Sequence, residues 1–120
     1  MNTPNEDYEL PQLDQRRVAE LRGLRNGALF AGLAQGYREQ GQKEISAIRR
    51  AVTNGDLQRG IKLAHSLKSS SMNIGAQMVG AISRRLEGDL FVGRTDALTM
   101  LCDELEENFK KTVAELDQVP

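Results

Sequence analysis

Tryptophan is absent from the 120 residues and aromatic side chains make up only 4%, so the core must be built from aliphatic side chains. A single cysteine, Cys102, rules out an internal disulfide and suits a reducing compartment. With one cysteine and one histidine, a zinc-type ligand set is also out of reach. No apolar run reaches the ~18 residues that would suggest a membrane span, and no basic-then-apolar leader opens the chain. A cytoplasmic protein without membrane insertion is therefore expected. The net charge is -1, which provides no broad attraction for nucleic acid or an anionic surface. The three prolines, Pro4, Pro11 and Pro120, lie near the ends, leaving a proline-free interior of the kind long helices need.

What is present fits one soluble helical domain. Hydrophobic residues are 39% and charged residues 28%, and the length suits a single core. Residues 1–12 are polar and read as a flexible lead-in or linker, 13–117 as a helical bundle and 118–120 as a tail. A short first helix spans 13–21, with Leu13, Val18, Leu21 and Leu24 apolar and Asp14 in its first turn. A second runs over 27–53, where Phe30, Leu33, Tyr37, Ile45, Ile48 and Val52 follow a 3.6-residue repeat. Gly41 predicts a bend in its middle, and Asn54-Gly55 predicts a left-handed stop before Asp56 opens the third helix. The third covers 56–71, the fourth 76–90 with Val79, Ile82 and Leu86 inward. The fifth is capped by Thr95 and carries the stripe Leu98, Leu101, Leu105, Phe109, Val113 and Leu116. Asp103, Glu104, Glu106 and Glu107 on its outer face read as solvated. Gly32, Gly36 and Gly80 sit within helical patterns at about 1 kcal/mol each against alanine, which suggests close approach of neighbouring helices. The expected fold is all-α: an antiparallel up-down-up-down four-helix bundle with a short additional N-terminal helix.

The chemistry concentrates in Ala64-His65-Ser66-Leu67-Lys68-Ser69-Ser70-Ser71-Met72-Asn73-Ile74-Gly75-Ala76, which holds the only histidine. A lone histidine on a helix is ordinarily a surface or capping residue, but its neighbours here are unusual. On a helix, Ile61, His65, Lys68, Ser69 and Met72 form one ridge. The apolar face of Leu57, Ile61, Ala64 and Leu67 lies about 100° away, so the His65 ring edge reaches water. The Lys68 ammonium could reach an anion carried on the imidazole, for which a phosphoryl group is the natural candidate. Ser69 is small and leaves room beside the ring, while Ser70 and Ser71 are poor helix formers that read equally as a fraying helix end.

This stretch resembles the signature of histidine-containing phosphotransfer (HPt) domains of bacterial two-component phosphorelays. The resemblance extends to Asn54-Gly55-Asp56 before the histidine and Arg85-Leu86-Glu87 after the glycine, and covers about residues 13–116. It departs from the family at Ser69, where glycine is common. The resemblance implies the same helical bundle, with His65 as the phosphorylated residue, Lys68 offsetting phosphoryl charge and Gly75 structural. It also implies receiver domains as partners, one in a hybrid sensor kinase and one in a response regulator, each supplying an aspartate and Mg2+. No cofactor of the chain's own is expected. Geometry on the wheel adds Arg59, Lys62, Ser66, Ser69 and Met72 as a receiver-docking patch, joined by residues 37–44 of the second helix. Met72 fits the core equally well, and Arg59 and Lys62 fit ordinary solvated charges.

No Gly-x-x-x-x-Gly-Lys or Gly-x-Gly-x-x-Gly loop is present, and no acidic cluster near His65 is evident to hold magnesium. The expected role is thus a monomeric phosphoryl carrier without kinase activity of its own. A competing reading is a helical interaction module that docks on a partner without carrying phosphate. A histidine kinase dimerisation domain is disfavoured, because Ser66 stands where an acidic residue usually follows the histidine.

Overall fold

The computed structural model describes residues 10–120. Residues 1–9 of the expected lead-in lie outside the described part. Five α-helices occur among the described residues, with no strand: α1 (Gln15–Arg22), α2 (Ala28–Asn54), α3 (Leu57–Ile74), α4 (Gln77–Phe91) and α5 (Leu98–Asp117). A single 3-10 turn, Leu24–Gly27, joins α1 to α2. Two-residue links at 55–56 and 75–76 fold α2, α3 and α4 back on one another. α3 packs on α2 and α4, α4 on α5, and α5 returns to α2, closing a four-helix ring; α1 lies against α2 and α3.

The core follows the apolar stripes. Ile48, Leu67, Val79, Ile82, Leu86, Leu101 and Leu105 are fully buried, and the burial of each large aliphatic side chain contributes about 1.5–3 kcal/mol. Leu13, Val18 and Leu21 also join the core, whereas Leu24 is 49% exposed, because the chain has already left α1 and entered the turn.

Several expectations change at the helix ends. Asp14 caps α1 from outside and accepts from the backbone N–H groups of Arg16 and Arg17, so it is not in the first turn. Thr95 does not cap α5. That helix starts at Leu98 without a side-chain cap, and the Thr95 carbonyl takes the Leu98 N–H instead. α3 continues past its serines to Ile74, held by tertiary contacts. Ser71 is fully buried, and its hydroxyl shares a 2.7 Å hydrogen bond with the buried Tyr37 hydroxyl of α2. Gln12, expected in the lead-in, donates to Asn108 and accepts from Thr112, both on α5.

Glycine placement differs as well. α2 runs unbroken through Gly41, where the missing side chain makes room for the Phe109 ring of α5. Gly32 and Gly36 have open space where a Cβ would stand, with no helix in close contact there, while Gly80 does lie against α3, beneath the Met72 thioether. The acidic face of α5 is only partly solvated: Arg49 of α2 bridges Asp103 at 2.6 Å and Glu106 at 2.8 Å. Those two carboxylates raise the affinity of the guanidinium for its proton.

Candidate functional site

His65 stands in the middle of α3, its side chain 59% exposed. α3 holds it rigidly because Ala64 and Leu67, on either side in sequence, are fully buried between α2 and α4. The Asp56 carboxylate caps the helix start by accepting from the Arg59 N–H at 3.2 Å.

Gly75 closes the other end of α3. Its φ is +91°, a left-handed conformation that disfavours any side chain, and a Cβ there would press on Arg17 at 3.3 Å. Around this turn the α1 segment is latched on. The Asp14 N–H donates to the Gly75 carbonyl at 2.7 Å, and Arg17 donates to the backbone carbonyl and side-chain oxygen of Asn73 at 2.8 and 3.0 Å.

The residue that organises the site is Glu87 on α4. Its Oε2 lies 2.8 Å from His65 Nδ1, and its Oε1 lies 3.0 Å from Lys68 Nζ. One carboxylate thus holds both residues of the motif. Burial pushes the Glu87 carboxyl up, but hydrogen bonds and charge from Lys68 and His65 outweigh it and hold the group below its ordinary value. Glu87 is therefore ionised at neutral pH and can only accept hydrogen bonds. It follows that Nδ1 carries the proton of the neutral ring, and that Nε2 presents a free lone pair.

The sequence pattern Arg85-Leu86-Glu87 gives Glu87 no role by itself, and a single carboxylate beside His65 is not the acidic cluster that magnesium would need. A signal was available. In the α3–α4 hairpin, residues at similar distances either side of the Gly75 turn come face to face, and Glu87 stands opposite His65. Among the described residues, no group of three or more His, Cys, Asp or Glu side chains is placed to hold a metal ion.

The residues chosen for docking divide into two groups on either side of His65. Arg59, Lys62 and Ser66 line a polar cleft of about 420 Å³ toward α2, together with Glu44 and Asp56. Lys68 and Met72 line a groove of about 350 Å³ toward α4, with Gly80, Ala81 and Arg84 on its far wall. Ser69 is exposed on the ridge between them. Met72 is 56% exposed, so it belongs to the surface and not to the core. The expectation that 37–44 joins the docking face fails at both ends. Tyr37 points inward to Ser71, and Glu44 is only 6% exposed, its Oε2 accepting from the Ser66 hydroxyl at 2.5 Å. Both side chains serve the α2–α3 contact.

The profile of the Hpt domain matches residues 32–119. Among solved structures, histidine-containing phosphotransfer protein B (HptB) from Pseudomonas aeruginosa PAO1 superposes with a TM-score of 0.85 at 24% identity, covering 92% of this chain and 95% of that one. A rice protein provisionally named a histidine-containing phosphotransfer protein superposes with a TM-score of 0.74 at 17% identity, covering 89% of this chain and 84% of that one. No curated protein matches the chain in sequence.

Proposed function

The chain belongs to the Hpt domain family, whose members pass phosphoryl groups in phosphorelays, and from that premise we propose that His65 is the residue that carries the group. The observation that supports this reading best is the Glu87 carboxylate on Nδ1, which leaves Nε2 as the nucleophile on a solvent-facing ridge. In the proposed first transfer, Nε2 attacks the phosphorus of a receiver's phosphoaspartate in line with the acyl oxygen. The P–O bond breaks as the N–P bond forms, and the receiver recovers its carboxylate. The Nδ1 proton stays in place, so the phosphorylated ring is formally cationic and faces the Glu87 anion. Lys68 supplies positive charge beside the incoming phosphoryl oxygens. The second transfer reverses these steps onto the aspartate of another receiver.

In this reading the chain is a carrier and has no kinase activity, since no nucleotide-binding loop occurs in its sequence. Mg2+ belongs to the receiver's site. Arg59, Lys62, Ser66, Ser69, Lys68 and Met72 form the receiver-facing rim, in the two groups either side of the ridge. The domain acts as a monomer in the cytoplasm, a setting that suits the free, buried thiol of Cys102.

The test is phosphoryl transfer from a phosphorylated receiver to the wild-type protein and to His65→Gln. Acid-labile, base-stable label on the wild type alone is expected. Binding of receivers without any label would favour a docking module that carries no phosphate.

A further inference from the structure

The Glu87 bridge bears on the onward step as well as on the capture of phosphate. We propose that Glu87 keeps Nδ1 protonated after His65 is phosphorylated, so that the group leaves from a neutral imidazole, and that Glu87 thereby acts as a positioning residue for release to the second receiver. This rests on the reading of His65 as the carrier.

The chemistry turns on one proton. When the Nε2–P bond breaks, its electron pair returns to Nε2. If Nδ1 holds a proton, the product is neutral imidazole, a good leaving group. If Nδ1 has lost it, the product is an imidazolate anion, a far poorer one. The phosphorus meanwhile forms a bond to the carboxylate oxygen of the receiving aspartate, and no proton is taken from or given to solvent. The state of Nδ1 therefore decides whether the phosphorylated domain can donate.

Geometry places that decision with Glu87. Its Oε2 is 2.8 Å from Nδ1, and its backbone is fixed by α4, where the neighbouring Leu86 is fully buried. Its second oxygen is held at 3.0 Å by Lys68, so the carboxylate has little freedom to turn away. The charged groups that line the two sides of the His65 ridge are Arg59, Lys62 and Lys68 on α3, Asp56 at its start, Arg84 on α4 and Glu44 on α2, with Glu87 of α4 on the ring itself. Glu44 is turned to Ser66. Arg84 lines the groove beyond Lys68. Asp56 caps the start of α3, and Glu87 is the acid hydrogen-bonded to the ring. An anion within hydrogen-bond distance of a cationic ring raises its proton affinity by about 1 pKa unit or more. Lys68 opposes this, since an added cation lowers the proton affinity of the same ring.

The experiment phosphorylates His65 chemically with phosphoramidate and follows the 31P resonance of the phosphohistidine against pH. Rates of transfer to an unphosphorylated receiver are measured across the same range. Glu87→Gln keeps a carbonyl that can accept from Nδ1–H but removes the charge. It is expected to lower the titration midpoint by about one unit or more. Onward transfer should then be ~10-fold slower than wild type at a pH well above both midpoints, and about 3-fold slower halfway between them. Lys68→Met is expected to move the midpoint the opposite way, a response that general loosening of the site would not produce. Equal midpoints in wild type and Glu87→Gln, or shifts of the same sign in both variants, would overturn the proposal. A label that survives in His65→Gln would instead remove the carrier reading on which it rests.

Discussion

Three glycines of α2 test the packing argument with one substitution. Gly32 and Gly36 have nothing within 4 Å of where a Cβ would stand, whereas at Gly41 that atom would sit 2.5 Å from Phe109 Cε1 and 2.8 Å from Cζ. Replacing any of the three by alanine gains about 1 kcal/mol of helix propensity. At Gly36 nothing opposes that gain, so Gly36→Ala is expected to stabilise by about 1 kcal/mol, and Gly32→Ala likewise. At Gly41 the ring must move, and it has little room. Phe109 is 3% exposed and its ring packs against Tyr37 with centroids 5.6 Å apart. Overpacking of this kind costs about 1–3 kcal/mol, which leaves Gly41→Ala neutral to about 2 kcal/mol destabilised. The difference between Gly41→Ala and Gly36→Ala cancels the propensity term and isolates the contact at about 1–3 kcal/mol. Urea unfolding followed by helical circular dichroism measures each midpoint, and unchanged slopes would show that the unfolded state is not involved. If Gly41→Ala proved as stabilising as Gly36→Ala, the α2–α5 contact as described would be wrong.

Two further outcomes concern the polar contacts of α3. Tyr37→Phe leaves the Ser71 hydroxyl buried without its partner and is expected to cost about 1–3 kcal/mol. The double change with Ser71→Ala should recover part of that loss, and a double-mutant cycle in denaturant measures the coupling. Glu87 has a carboxyl held below its ordinary value in the folded protein, so its contribution is present above the unfolded-state value and is lost as pH falls through the folded one. Stability should therefore decline more steeply below about pH 4 in the wild type than in Glu87→Gln, as thermal unfolding across pH would register. Parallel curves would mean that the bridge contributes nothing to the fold.

The repeats of Leu98, Leu101, Leu105 and Phe109, and of Val79, Ile82 and Leu86, made the helices and their inward faces legible, because burial of an aliphatic stripe is a local property of the sequence. His65 and Lys68 were legible for a similar reason: one turn of helix separates them. Glu87 was not read as their partner, because that pairing depends on how two helices face each other across the Gly75 turn. Ser71 misled for the complementary reason. Its low helix propensity suggested fraying, but the Tyr37 hydroxyl of another helix gives it a buried partner and outweighs the local tendency. Gly32 and Gly41 look alike in sequence and differ only in whether the α5 ring lies opposite. The docking surface takes in residues 37–44 of the second helix, but a helical wheel does not tell which of those side chains turn to the neighbouring helix, and Tyr37 and Glu44 are consumed by the α2–α3 contact.

The latch of α1 on the Gly75 turn separates the molecule into two tiers of cooperativity. α1 has eight residues, too few to hold a helix in water unaided, and depends on Asp14 and Arg17 reaching the end of α3. The hairpin of α3 and α4 carries His65, Lys68 and Glu87 and shares the fully buried centre of the core. α1 can therefore detach as a small opening unit while the histidine stays framed by its two helices, and the amides of the outer latch should exchange with solvent well before those that surround the phosphoryl site.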